Sequence, residues 1–445
     1  MTSTTVITAA EQDAIFLRPR PLVLSSGSFL LLPLLSHRVP LKPLPTEIWI
    51  QILAYVFADY DSEEPALLSE NRKLSLLLVC KKLSDVALPL YYSHVHLVKP
   101  LALQRFTDVL LAADKKWDSI RRIPYSAPGR WVQTLDLSDM HVGLWTEAIQ
   151  IDAFLTKLFP LLPFLSCLVL NPTVNLSRRA IDSLCNRDGN QNLRALKGIK
   201  LSSGSSSEVE PFLQVLRCCR NLEELTIVGS GIEAVQLSNA SGHTPTVEVP
   251  EDFKPLVLLR LRKLALISMH TSPVMFALLH SPLPSLHHLT ITPYDDVSIP
   301  TSLVPAFIDL HGSKLTSLHL YAHKSWPTML FPSPTTLLHT CPKLYHLSLE
   351  NPLPTLYICS IYPRHPLQIL SLPRPNTEFL RVLESLLPKL PCLTTVRARD
   401  VRWLRKGMTS RAQEAGVQGE LKEWKRRLGR RGIQVLDADW KSGVD

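Results

Sequence analysis

A chain of 445 residues, 45% hydrophobic and 20% charged, can form two or three ordinary domains, or one small domain and a long repeat array, and is not globally disordered. Proline is frequent at 36 and glycine sparse at 16, which suits many short punctuated segments better than a glycine-rich catalytic fold. The formal charge of +9 is uneven: Arg397 to Asp445 holds 13 Lys/Arg against 7 Asp/Glu, so +6 falls in the last 49 residues.

Residues 1–43 read as an irregular, poorly ordered N-terminal extension. Its apolar run LVLSSGSFLLLPLL, Leu22 to Leu35, is too short to span a bilayer and is broken by Ser25, Ser26, Gly27, Ser28 and Pro33. It begins behind Glu11 and Asp13, too far in for a good signal peptide, and no membrane partner is expected. The eight cysteines contain no CxxC pair and most lie beside leucines, as small hydrophobes of a reducing compartment do. A cytoplasmic location is the resulting expectation, with the nucleus left open, and the sequons at Asn175 and Asn239 then carry no meaning.

The segment LPTEIWIQILAYVF, Leu44 to Phe57, predicts a helix with Thr46 as N-cap and Glu47 in its first turn. Ile48, Ile52 and Val56 form one apolar row; Trp49, Leu53 and Phe57 form a second. Together they cover a wider arc than one small core needs, so one row can pack internally while the rest awaits a partner. An acidic interruption, ADYDSEEPALLSE, comes next. In KLSLLLVCKKLSDVALPLYYSHVHL, Lys73 to Leu97, two further short helices fit, one to about Cys80 and one from Ser84 through Leu90. His94 and His96 alternate on a short strand beyond them, facing solvent.

Three pieces of this region, Leu44-Pro45-Thr46-Glu47-Ile48, Leu77-Leu78-Val79-Cys80-Lys81-Lys82 and Ala87-Leu88-Pro89-Leu90-Tyr91, resemble the F-box in their order. The resemblance covers residues 44–98. It implies a three-helix module that docks on a Skp-type adaptor and through it joins a cullin–RING ubiquitin ligase. The implied adaptor contacts are Leu44, Pro45, Ile48, Ile52 and Leu53 on the first helix, and Leu78, Val79 and Cys80 on the second. The linker between those helices is longer and more acidic than the family norm. From the residues alone, an ordinary helical cap on the N-terminus of a repeat array is the alternative.

Residues 99–130 read as a helical linker, with Leu103, Phe106, Leu110, Ala113, Trp117 and Ile120 at helical spacing between Pro100 and Arg122. Over 131–445 the pattern LxxLxL recurs. It reads VQTLDL from Val132, LSCLVL from Leu165, LKGIKL from Leu196, LEELTI from Leu222, LRKLAL from Leu261 and LHHLTI from Leu286. It continues as LTSLHL from Leu315, LYHLSL from Leu344, LQILSL from Leu367, LTTVRA from Leu393 and IQVLDA from Ile433. Eleven copies at spacings of 23 to 40 predict an α/β solenoid, with parallel short strands inside and helices outside. Alternation turns the fourth and sixth residues of each copy into the core, and the third and fifth to the concave side. FLTKLFPLLPF, EPFLQVLRCCRN, SLVPAFIDLHGSK and FLRVLESLLPKLPC, each ahead of a strand, predict helix and then turn. The pattern resembles leucine-rich repeats of an irregular kind: the asparagine usual after the strand is mostly missing, and Gly229 to Leu259 reads as a long insertion. F-box and repeats together are similar to F-box proteins abundant in filamentous and mushroom-forming fungi.

The repeat register aligns His288, His319 and His346 in successive copies, with Thr290, Ser317, Ser348 and Ser371 beside them. Such a row can grip the acidic or phosphorylated groups of a target protein, more tightly at low pH. It can equally be polar residues that the repeat tolerates. No carboxylate or cysteine stands at ligand spacing, so no metal is expected. In LKEWKRRLGRRG, Leu421 to Gly432, Leu421, Trp424 and Leu428 can pack on the final copy while the arginines stay in water. That polar cap is favoured over a nuclear import signal or nucleic-acid contact. GxSxG, GxxxxGK[ST], HExxH and GxGxxG motifs are missing, and no cofactor is required. The expected function is substrate recognition for a ubiquitin ligase, without catalysis by this chain. A non-ligase scaffold is the first alternative and a nucleic-acid-associated protein the second.

Overall fold

The computed structural model describes residues 44–58, 73–115, 127–201, 206–229, 253–269, 272–294, 302–322, 330–358, 364–403 and 417–442. The extension 1–43, residues 59–72 with all of the acidic interruption but Ala58, Trp117, Ile120 and most of the insertion (230–252) lie outside the described residues. Contacts divide the chain into two compact units, Met1–Leu90 and Tyr91–Asp445.

In the first unit, helix α1 spans Thr46–Ala58, a short helix α2 spans 73–77 and helix α3 spans Lys81–Ser93, crossing the unit boundary near its end. Cys80 directly precedes α3, and its sulfur accepts the Leu83 N–H at 3.4 Å, capping the new helix. The core of this unit is small: Leu53, Phe57 and Ala87 are buried, with Leu76, Leu77, Leu83, Val86 and Leu90 packed on them.

The second unit is α/β and solenoid-like. Among the described residues twelve parallel strands lie side by side in strict sequence order. β1 (His94–His96) leads. β2 (Thr134–Leu137), β3 (Cys167–Leu170), β4 (Ala195–Leu201), β5 (Glu224–Gly229), β6 (Lys263–Ile267) and β7 (His288–Ile291) come after it. β8 (Ser317–Leu320), β9 (His346–Ser348), β10 (Ile369–Leu372), β11 (Thr395–Ala398) and β12 (Gln434–Leu436) complete the sheet. Each strand after the first coincides with one LxxLxL copy. The sheet therefore starts earlier than the repeats: His94 pairs with Thr134 and His96 with Asp136, so 94–96 form its first strand. The predicted linker helix, α4 (Pro100–Lys115), buries Leu103 and Leu110 in the same core and belongs to this unit.

Alternation decides what each strand buries. Leu135 and Leu137, Leu168 and Leu170, Leu225 and Ile227, Leu289 and Ile291, and Leu318 and Leu320 are buried at fourth and sixth positions. Fully burying each side chain contributes roughly 1.5–3 kcal/mol relative to exposure. The segments ahead of the strands form the expected helices. α5 (Trp145–Leu158) runs into a 3-10 turn at Phe159–Leu161, α6 is Arg178–Cys185 and α7 is Ser206–Cys218. α8 is Pro273–Leu279, α9 is Val304–His311, and α10 (Leu337–Thr340) is a single turn. α11 (Thr377–Leu386) again ends in a turn, Leu387–Lys389. Local signals start several of them: Ser177, Ser272 and Asn376 are N-caps whose side chains accept a backbone N–H from their first turn.

Two copies sit in a different frame from the sequence pattern. In the third, Cys167 pairs with Ala195 and Leu168 with Leu196, so Leu196 is the fourth residue and the copy begins at Leu193. A bulge separates Leu196 from Ile199, and Ile199 takes the inward sixth place opposite Ile227. Gly198 makes this work: its φ of 76° is left-handed backbone, and a Cβ there would strike the Leu170 carbonyl. In the last copy Val396 pairs with Val435, so Val435 rather than Leu436 points inward, and Asp437 takes the buried sixth place. Its carboxylate accepts N–H groups of Trp403, Asp439 and Lys441, which satisfies it where the sheet ends.

The last helix, α12 (Val417–Gly429), covers that end. Leu421, Trp424 and Leu428 are fully buried, and the Trp424 ring stacks on Phe379 with centroids 6.5 Å apart. Outside, Glu423 bonds Arg426 and Arg427, and Arg427 also reaches Glu384 at 3.5 Å. Among the described residues no helix is long and apolar enough to cross a membrane.

Candidate functional site

Two surfaces draw together the residues that the sequence singles out. The first is on the small unit. Of the α1 row of Trp49, Leu53 and Phe57, Leu53 and Phe57 are buried and Trp49 is half-buried, while Ile48, Ile52 and Val56 are exposed, with Ile52 at 40%. Leu44 and Pro45 ahead of the helix are exposed as well, and beyond α2 so are Leu78 at 85%, Val79 at 66% and Cys80. Leu53 departs from the expected contact set. At 3% exposure it is a member of the internal core, because the face it shares with Phe57 is the one α3 covers through Ala87. Seven of the eight expected positions are thus open to a partner, and one is not.

The second surface is the sheet face that carries third and fifth residues. Register puts His288, Ser317 and His346 in one row, continued by Ile369 and Thr395. Thr290, His319, Ser348, Ser371 and Arg397 form the neighbouring row. Three of these side chains make one hydrogen-bonded chain: His319 Nε2 lies 3.1 Å from His346 Nδ1, and His346 Nε2 lies 2.8 Å from Ser371 Oγ. The two imidazoles meet edge to face, centroids 4.4 Å apart. His288 stands apart from this chain, next to Lys263 on β6. There Glu224 receives Lys197 at 2.6 Å and Lys263 at 2.7 Å, a polar cluster across β4 to β6.

The serines expected to touch a target do not reach the surface. Ser317, Ser348 and Ser371 are buried, Ser371 completely, short side chains in register with His288, His319, His346 and Arg397. The half-buried or exposed polar side chains of this face belong instead to the histidines and to residues that sequence spacing did not flag. Arg397 is the fifth residue of β11, in the same row as His319, and its guanidinium lies 4.3 Å from the ring centroid of Trp440. Arg399, two residues on, donates to the Leu320 and Leu349 carbonyls and to Glu350 Oε2 at 2.9 Å. The Trp440 ring also stands 6.4 Å from His346. Arg397 is legible in the sequence, since it occupies a row position in LTTVRA; Trp440 carries no periodic signal, because it lies beyond the last strand on a turn held by Asp437.

Burial, then the nearby Arg399, His288 and Arg397, push the His319 pKa down to about 4. Burial, followed by His319, Arg397 and Arg399, does the same for His346, also to about 4. Both rings are therefore neutral at neutral and mildly acidic pH while the face is unoccupied, and the standing positive charge here comes from arginine. The Ser371–His346–His319 order has nucleophile–base–orienter spacing, but a fully buried hydroxyl and a base held to about 4 do not serve acyl transfer at neutral pH. Among the described residues no group of three or more His, Cys, Asp or Glu could hold a metal ion.

In comparison with known proteins, no protein-family model matches the chain, and no curated protein matches it.

Proposed function

We propose that this chain is an F-box protein with a leucine-rich-repeat body, acting as the substrate receptor of a Skp–cullin–F-box ubiquitin ligase. The small unit docks a Skp-type adaptor through Leu44, Pro45, Ile48, Ile52, Leu78, Val79 and Cys80. The repeat unit holds a target protein on its open sheet face. No covalent step belongs to this chain; holding target and ligase together supplies its contribution.

One observation carries the reading. α1 buries Leu53 and Phe57 yet leaves Ile48, Ile52 and Val56 exposed, and Leu78 and Val79 are exposed as well. A cap whose only task is to close its own core has no use for a second apolar face, whereas a docking module needs one. The buried apolar side and paired charges of α12 support a capping role for the basic C-terminus, so nucleic acid is the less favoured partner.

The test is capture of a Skp-type adaptor and cullin by the wild type and by Ile48→Asp/Ile52→Asp, with circular dichroism to show that both are folded. Capture of both partners by the wild type and neither by the variant supports the receptor reading. Capture of the adaptor without cullin favours a non-ligase scaffold. A folded wild type that captures neither overturns the docking assignment.

A further inference from the structure

The sheet face between β7 and β11 is built unlike its neighbours. Across β4 to β6 the charges are matched side by side, one carboxylate between two lysines. Toward β11 two guanidiniums, Arg397 and Arg399, face two neutral imidazoles, and among the described residues the carboxylate that directly pairs with either is Glu350, on Arg399. Burial and then Arg399 oppose the charge on Arg397, while Asp437 and Asp439 favour it from the C-terminal turn.

Polar atoms here also lack partners. Ser348 Oγ, Arg397 Nε and Arg399 Nε are buried without a hydrogen bond, and Ser348 as a whole is 1% exposed, in register between His319 and Ser371. Buried donors of this kind are costly to leave unmade. The Arg397 plane is meanwhile fixed against Trp440, a bulky residue in the left-handed region at φ 59°. Such backbone is uncommon for an aromatic side chain and marks a position that its surroundings enforce.

The histidine chain adds a second property. With one proton per imidazole, His319 Nε2–H can donate to His346 Nδ1 while His346 Nε2–H donates to Ser371 Oγ. The opposite direction serves equally well: Ser371 Oγ–H donates to His346 Nε2, and His346 Nδ1–H to His319 Nε2. Neither arrangement carries net charge. An additional proton is opposed first by burial and then by Arg399, Arg397 and His288, and a negative group that offsets the guanidiniums removes the second opposition. Thr290 on β7, Ser348 and Glu350 at β9, Ser371 on β10 and Trp440 complete the surroundings; of these only Glu350 is a carboxylate, and it is engaged by Arg399.

We infer that His319, His346, Arg397 and Arg399 form an oxyanion site that takes up a proton as it binds a phosphate or carboxylate group of a bound polypeptide. The assignment rests on the reading of this sheet face as the target-binding surface. Arg397, held flat by Trp440, supplies fixed charge. The histidine pair supplies a donor that becomes available only when the anion is in place, so binding and protonation favour one another.

Sulfate is the probe, because its charge does not change between pH 5.5 and 7.5 and any pH dependence belongs to the protein. Binding is measured by calorimetry on the full chain at constant ionic strength, with acetate as the carboxylate arm. The expected result is saturable sulfate binding, about tenfold or more tighter at pH 5.5 than at pH 7.5. Arg397→Gln should lose it, and His346→Asn should keep most of the pH 7.5 affinity while losing the pH dependence. Acetate binding as tightly as sulfate assigns the site to carboxylates; sulfate well ahead assigns it to phosphate. Should Arg397→Gln fail to fold, the wild-type His346 ring titration followed by NMR decides: sulfate must move it to higher pH. No saturable binding, equal binding by a folded Arg397→Gln, or an unmoved His346 titration overturns the site. Adaptor capture is read out separately, so loss of oxyanion binding with capture intact removes this site and leaves the docking assignment standing.

Discussion

Two helices of the same length, thirteen residues each, show how differently the two units use apolar side chains. α12 is ordinary: Leu421, Trp424 and Leu428 go into the core, and lysine, arginine and glutamate face water. α1 buries Leu53 and Phe57 but exposes Ile48, Ile50, Ile52, Tyr55 and Val56. A helix that only caps a fold reads as one apolar stripe, and α12 is that case. A helix with more apolar surface than its own core can use is incomplete by itself, and α1 is that case. The difference lies in packing rather than propensity, since both sequences form helix.

Trp424 is where this contrast can be broken most visibly. Replacing the fully buried, stacked ring by alanine leaves a large cavity at the end of the repeat unit and should cost about 3–5 kcal/mol, read as a lower midpoint in urea unfolding. A loss under about 1 kcal/mol would show that the helix is not a packed cap. Leu53→Ala is the counterpart in the small unit. It should cost roughly 2–3 kcal/mol and raise amide exchange across α1 and α3, because so few residues share that core.

A third prediction sharpens the contrast within the repeat unit. His319 and His346 are held to about 4 in the fold and return to the ordinary value near 6.5 on unfolding. The unfolded chain therefore binds more protons between those pH values. Their contribution is fully present above pH 6.5 and is lost as pH falls from there toward 4. Partly exposed rings are screened by water, so the expected loss between pH 6.5 and 5 is roughly 1–2 kcal/mol, smaller than that of either core substitution. Unfolding midpoints measured across this range should fall less steeply in His319→Asn/His346→Asn; equal slopes would place the acid sensitivity elsewhere.

How far the sequence reveals all this depends on whether an element is fixed by its own pattern. Strands of the LxxLxL kind are legible because inward leucines recur with period two, and each copy coincides with a strand. The frame fails at Leu196 and Ile433 for local reasons. Gly198 permits a bulge that no hydrophobic pattern reports, and Asp437 occupies a core position because three backbone N–H groups satisfy it. β1 escapes the repeat pattern because HVH has no leucines, and its place depends on pairing with Thr134 to Asp136, distant in sequence. At the candidate sites, the placing of His288, His319 and His346 on one sheet face, in two neighbouring rows, comes directly from register. The burial of Ser317, Ser348 and Ser371 does not, since it depends on which residues stand beside them in adjacent strands. Arg399 and Trp440 come from beyond strand ends, where alternation no longer says which way a side chain points.

The smallest expected effect is the most telling for α1. Ile52→Ser removes a large apolar side chain, and in the buried row the same kind of change would be severe. Ile52 is exposed, so little surface is returned to water and no cavity forms; the stability change should stay within about 0.5 kcal/mol. Loss of affinity for a partner that covers this face can be far larger, because an isoleucine buried at the centre of an interface counts among the few side chains that dominate binding. Stability and capture are thus predicted to separate at Ile52 and to move together at Leu53, where unfolding the helix destroys the face as well. If Ile52→Ser instead lowers the unfolding midpoint as much as Leu53→Ala, that row is internal packing, and α1 joins α12 as a cap.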